Sequence, residues 1–86
     1  MMDDLEVVRE SAVRYLAQVV DANRWGMHGA PYFNHVVCDA HENRVMVALS
    51  WESDIYSEWS VTFVVRTREG AAAHEYHPRS MGYTTR

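Results

Sequence analysis

The chain is poor in cysteine, glycine and proline, and it contains no lysine. Its one cysteine, Cys38, excludes an intrachain disulfide, which argues against a disulfide-stapled secreted scaffold. No apolar run approaches the roughly 18 residues that a membrane-spanning helix needs. The first residues, Met1 to Asp4, are acidic where a signal peptide is positively charged. These absences predict a cytoplasmic protein that does not associate with membranes.

Motifs for catalysis, phosphate binding and metal binding are also missing. Gly26 and Gly29 follow a predicted helix, whereas a phosphate loop joins a strand to the start of a helix. Cys38 lies on an apolar strand segment and belongs to no nucleophile motif. His74 and His77 are three residues apart, which puts them on opposite faces of a strand. The sequence therefore predicts a protein that is not an enzyme, with no catalytic residue, metal site or cofactor.

The most regular feature of the chain is an amphipathic segment near its start. Between Asp3 and Arg24, apolar residues recur at steps of three and four, as one stripe of a helix requires. They are Leu5, Val8, Ala12, Leu16 and Val19. Gly26 is placed to end the helix after Trp25. The pattern predicts a helix over residues 3–25.

Four apolar segments follow, and they predict strands over residues 35–40, 44–51, 59–67 and 71–77. In the first pair, an even-length turn would place Val45 and Val47 opposite Ala40 and Cys38 and bury the cysteine. In the second pair, a two-residue turn at residues 69–70 would place Tyr76 against Phe63. A three-residue loop with a bulge, or a short helix over residues 71–76, are alternatives there.

The segments between these strands are predicted to be loops. Residues 26–33 are expected to close over one end of the core, residues 52–58 to form a solvated connector, and residues 78–86 to form a loose tail. Short connections favour an antiparallel meander. The predicted fold class is therefore α+β: one N-terminal amphipathic helix packed on a four-stranded antiparallel sheet (α-β-β-β-β), as a single domain over residues 1–86.

One helix covers only one face of such a sheet, so the other face is predicted to be open. Val37, Met46 and Val64 would lie there as a modest apolar strip. Beside it, residues 51–59 contain three aromatic residues, three acids and no positive charge. Aromatic side chains with carboxylates suit a basic partner. The predicted partner-binding residues are Glu52, Asp54, Ile55, Tyr56, Glu58, Val37, Met46 and Val64.

The chain has a net charge of -4, which fits this interpretation. It predicts a non-enzymatic module that inhibits or adapts a larger basic or nucleic-acid-handling protein or nucleoprotein complex. Immunity proteins, antitoxins and phage-encoded defence inhibitors such as anti-CRISPR proteins have a similar size and charge, although no motif is shared. The open face or an edge strand would also allow a homodimer.

Two other functions are alternatives. In the first, the helix and a curved sheet form a cone for a small ligand or substrate. That cone would be lined by His28, Tyr32, His74 and Tyr76. In the second, basic and aromatic residues bind single-stranded nucleic acid, which the negative net charge disfavours. Those residues are Arg66, Arg68, Tyr76 and Arg79.

Overall fold

The computed structural model describes residues 4–21, 24, 27–66 and 74–85. Helix α1 spans Asp4–Val19 and is followed by strands β1 (Pro31–Asp39), β2 (Arg44–Trp51), β3 (Asp54–Arg66) and β4 (Glu75–Thr85). The strands form one antiparallel sheet in the order β1-β2-β3-β4. The helix packs on one face of this sheet, against β2 and β4. The predicted fold class is confirmed.

The core lies between the helix and this inner face of the sheet. Val8, Ala12 and Leu16, spaced four apart on α1, are buried against the alternating side chains of the two central strands. Those strand residues are Val45, Val47, Leu49, Trp51, Trp59, Val61 and Phe63. Met27 is also buried, so the connector after the helix covers part of the core as predicted.

Helix α1 ends at Val19, earlier than the predicted end at residue 25. The Val20 N–H still donates to the Leu16 carbonyl, at 2.9 Å. The next carboxylate, that of Asp21, then accepts a hydrogen bond from the Arg24 N–H at 3.4 Å. Aspartate side chains that bond to nearby backbone compete with helical hydrogen bonds, which accounts for the early end. The predicted stop at Gly26 lies outside the described residues.

The first hairpin has a different register from the predicted one. Cys38 pairs with Val45, whereas the prediction placed it opposite Val47. The cause is the position of the turn, which lies one residue earlier than predicted, and in which Asp39 Oδ1 accepts hydrogen bonds from the backbone N–H groups of His41 and Glu42. A shift of two residues keeps every side chain on its predicted face. It moves Cys38 to the end of the sheet, however, where the thiol is exposed, so its predicted burial is wrong.

The connector predicted over residues 52–58 is mostly strand. Trp51 pairs with Asp54 across a two-residue turn, and Leu49 pairs with Trp59. Ser50 therefore lies opposite residues 55–58, which bulge out of the ladder. Bulges of this kind bend a strand and redirect its side chains.

The predicted loose tail over residues 78–86 is also wrong, because β4 pairs with β3 up to Thr85. Pro78 and Gly82 suggested irregular structure, but proline is tolerated on an edge strand. The register shift near Thr62 accommodates Arg79 as an extra residue. Tyr83 packs on Trp59 with ring centroids 4.6 Å apart.

The last hairpin also differs from its predicted register. Tyr76 pairs with Val65, where the prediction placed it against Phe63. The predicted strand over residues 71–77 begins at Glu75, which contradicts the helical alternative for Glu75 and Tyr76. The turn predicted at residues 69–70, and residues 71–73, lie outside the described residues.

Candidate protein-binding surface

The face of the sheet that points away from α1, called the outer face below, carries the predicted apolar strip. The strand register aligns Val37 of β1 with Met46 of β2, and then with Thr62 of β3 and Ser80 of β4. Val64 lies in the next row, opposite Arg44. Val37 is 51% exposed, while Met46 and Val64 are half-buried. The three predicted apolar residues therefore share this face, with Met46 on the strand between those of Val37 and Val64.

At the end of the outer face nearest the β2–β3 turn, the surface is concave. This concavity has a volume of about 490 Å³ and is lined by Tyr32, Asn34, Ser50 and Ile55. Tyr32 and Ile55 are each about half exposed. Ser50 forms the buried floor. Two large apolar side chains thus flank a polar floor, an arrangement typical of binding surfaces that take an anchor side chain.

Asn34 connects this concavity to a carboxylate. It lies at the register shift of β1, and its Nδ2 donates to Ser50 Oγ and to Glu58 Oε2, both at 3.0 Å. The bulge in β1 lets Asn34 and the next residue, His35, both lie on the outer face, where a regular strand would have turned one of them to the core. Glu58, a predicted binding residue, is therefore held at the rim of the concavity.

Asp54 shapes the segment that carries Ile55 and Tyr56. Its Oδ1 accepts a hydrogen bond from the Tyr56 N–H at 3.2 Å, and its Oδ2 accepts one from Ser57 Oγ at 2.7 Å. Ser57 Oγ also contacts the Tyr83 hydroxyl at 3.0 Å. These bonds hold the bulge so that Tyr56, which is 70% exposed, projects into solvent.

Glu52 attaches the same turn to the chain that precedes β1. Its Oε2 accepts a hydrogen bond from the Ala30 N–H at 3.2 Å, and its own N–H donates to the Ala30 carbonyl at 3.0 Å. Gly29 packs against this side chain with a φ of 82°; a Cβ there would lie 2.6 Å from Glu52 Oε2. A residue other than glycine would meet both strain and a clash.

The three carboxylates of residues 51–59 thus differ from the solvated loop that the sequence predicted. Each accepts a hydrogen bond within the protein, and Asp54 and Glu58 are half-buried. They remain grouped at one end of the molecule. The tryptophans at either end of the segment, Trp51 and Trp59, are buried in the core, so Ile55 and Tyr56 are its exposed large apolar side chains.

Tyr32 and Asn34 are not among the predicted binding residues, although they lie beside Ile55 and Glu58. Both precede the predicted start of β1 at residue 35, whereas the strand begins at Pro31. Gly29 and Pro31 indicated a loop, and the bulge at Asn34 interrupts the alternation that would have revealed the strand. The exposed aromatic ring of Tyr32 was the one signal available.

The residues of the ligand-binding alternative do not converge. Tyr32 lies on the outer face of β1, whereas Tyr76 on β4, at the opposite edge of the sheet, packs against the core on the inner side. His28 and His74 are exposed. The geometry does not favour a cone built from these four side chains.

The residues of the nucleic-acid alternative are also divided. Arg66 pairs in register with Glu75, one step from Tyr76, so the arginine and the tyrosine ring point to opposite faces. Arg79 is exposed at the register shift of β4. Arg68 lies outside the described residues.

Among the described residues, no group of three or more His, Cys, Asp and Glu side chains is arranged to hold a metal ion. Within the same part of the chain, no helix combines the length and the apolar character needed to cross a membrane. No protein-family model matches the chain, and no significant match was found among curated proteins or solved structures.

Proposed function

We propose that the chain is a small non-enzymatic module that binds a larger protein through its outer face. The observation that carries this proposal is the concavity flanked by Tyr32 and Ile55, each about half exposed, and connected through Asn34 to the Glu58 carboxylate. Exposed aromatic and aliphatic side chains beside fixed polar groups are the usual anchors of protein interfaces.

The chemistry of this surface selects a basic partner. Glu52, Asp54 and Glu58 lie in a segment without positive charge, and the whole chain has a net charge of -4. Carboxylates already held by hydrogen bonds lose little side-chain freedom when an arginine approaches, which favours bidentate pairing. Proteins that handle nucleic acids present such basic surfaces. A defence inhibitor of the anti-CRISPR or immunity type, acting by covering a basic site, fits this size and charge.

The experiment is affinity capture from a lysate of the source cells, with bound proteins identified by mass spectrometry. Three forms serve as bait: the wild type, the variant Ile55→Ser with Tyr56→Ser, and the control Val19→Ser. Val19 is 51% exposed at the end of α1, so its substitution removes exposed apolar area away from the outer face, although less of it than the double variant does.

We expect a basic protein to be captured by the wild type and by Val19→Ser but lost from the double variant. Circular dichroism would verify that all three forms are folded. Equal capture by the double variant and the wild type would contradict the proposed surface, and capture of nothing by any form would count against a protein-binding function.

A further inference from the structure

The two edges of the sheet differ in how they resist pairing with another strand. On β4, Pro78 lacks an N–H, and the register shift near Thr62 breaks the regular ladder, both of which discourage association. On β1, the run His35–Asp39 pairs regularly with β2 after the shift at Asn34, and it contains no proline, glycine or lysine. Among the described residues, β1 has a strand neighbour on one side only.

We propose that two copies of this chain associate through antiparallel pairing of their β1 strands, centred on Val37. This inference goes beyond the proposed function, because it uses the backbone edge of β1 and not the concavity of the outer face. A two-fold axis perpendicular to the sheet keeps the outer faces of both copies on the same side. Each residue must then pair with a residue of the same face in the other copy. The axis therefore passes between one residue and its own copy, and we place it at Val37.

In that register, the side chains of one copy are complementary to those of the other copy. His35, Val37 and Asp39 follow one another on the outer face, so His35 of one copy lies opposite Asp39 of the other, twice. The bonds from the β1–β2 turn are both accepted by Asp39 Oδ1, which leaves Oδ2 to face the histidine. Placing the axis at Val36 or Cys38 would separate the two side chains.

The surroundings of β1 also leave room for a second copy. Helix α1 packs mainly on β2 and β4 and reaches the start of β1 through Arg9, which lies over the Phe33 ring beside an open groove of about 630 Å³. On the outer face, Val37 adjoins Met46, so pairing would join the two apolar strips into one. The result is an eight-stranded sheet with both helices on one side and a doubled outer face.

Cysteine cross-linking tests the register directly. In Val37→Cys with Cys38→Ser, the two new thiols lie opposite each other, with Cα atoms about 4.5–5.5 Å apart, within disulfide range. The control is Ser80→Cys with Cys38→Ser, because Ser80 lies in the same row of the outer face but on β4 and is also exposed. Copper(II)-phenanthroline serves as the oxidant that accepts the two electrons.

We expect the Val37→Cys form to give mostly disulfide-linked dimer and the Ser80→Cys form to give little. The wild type should cross-link poorly, because Cys38 of each copy lies diagonal to the other at about 7–8 Å. Equal cross-linking of the Val37→Cys and Ser80→Cys forms would overturn the proposal.

Sedimentation of the reduced wild type provides a second, independent measurement. We expect a reversible dimer, and we expect His35→Asp to weaken it by about tenfold or more, since a carboxylate would then face Asp39 of the other copy. A wild type that stays monomeric at millimolar concentration would overturn the proposal. Neither measurement uses a partner protein. Failure of the dimer proposal is therefore distinguishable from failure of the proposed function.

Discussion

At the scale of single residues, backbone geometry determines where the turn before β1 can run. Gly29 has a φ of 82° and lies against the Glu52 side chain, which accepts a hydrogen bond from the Ala30 N–H, while the Glu52 N–H donates to the Ala30 carbonyl. Asn43, in the β1–β2 turn, also has a positive φ, of 51°. Asparagine tolerates this region far better than branched residues do. Both positions therefore favour residues that tolerate a positive φ, and glycine is the residue that does so without strain.

We predict that Gly29→Ala lowers the free energy of unfolding by on the order of 1–3 kcal/mol. The alanine would be held at a strained positive φ, and its Cβ would displace the Glu52 carboxylate from the Ala30 N–H. Asn43→Gly is the matched control and should leave stability nearly unchanged, because glycine accepts the positive φ without strain. Urea denaturation followed by tryptophan fluorescence measures both. An unchanged midpoint for Gly29→Ala would show that the turn relaxes freely.

At the scale of elements, β4 is a structural strand along its whole described length. Its second half pairs with β3, and Tyr83 both packs on Trp59 and contacts Ser57 Oγ through its hydroxyl. Trp59 and Val61 are almost completely buried, although they lie next to this edge strand. The segment that the sequence predicted to be a loose tail therefore helps to bury these two side chains.

We predict that deleting residues 81–86 destabilises the protein severely, because it would expose Trp59 and Val61. Each such side chain contributes about 1.5–3 kcal/mol when fully buried, a large part of the stability of a small domain. Tyr83→Phe, which removes only the hydroxyl, should cost about 1 kcal/mol. Thermal unfolding by circular dichroism compares the two. A truncated chain as stable as the wild type would refute the structural role of this strand.

At the scale of the whole molecule, charge and apolar surface are segregated. The helix covers the inner face, while the outer face carries the apolar strip and, at one end, the concavity with its carboxylates. Asp54 and Glu58 each combine a charge that would attract a basic partner with a hydrogen bond that holds the surface in shape. Replacing each carboxylate with the amide of the same shape removes the charge and keeps a hydrogen-bonding group in place.

We predict that Asp54→Asn with Glu58→Gln folds normally but associates more slowly with a basic partner. Glutamine can still accept from Asn34, and asparagine can still bond with Ser57, so shape is retained while steering is lost. Stopped-flow association at two salt concentrations is the measurement. The wild-type rate should fall with salt more steeply than the variant rate. Glu42→Gln, in the distant β1–β2 turn, is the control; an equal effect there would indicate nonspecific attraction.

The fold class could be predicted because it depends on local periodicity. The stripe of Val8, Ala12 and Leu16 and the alternation around Val47 and Phe63 each assign a face without knowledge of the rest of the chain. The apolar residues of the candidate surface were predictable for the same reason, since alternation puts Val37, Met46 and Val64 on the face opposite the core.

Register and the extent of the strands were decided only by tertiary structure. The Asp39 turn shifted Cys38 to an exposed end, the bulge at Asn34 brought Tyr32 beside Ile55, and pairing with β3 ordered the segment after Pro78. The first outcome depends on a local turn held by one side chain, and the other two depend on hydrogen bonds between residues far apart in the chain. Neither kind of bond leaves a periodic trace in the sequence. The sequence by itself determined which side chains face the core; the assembled sheet determined which of the others meet at its surface.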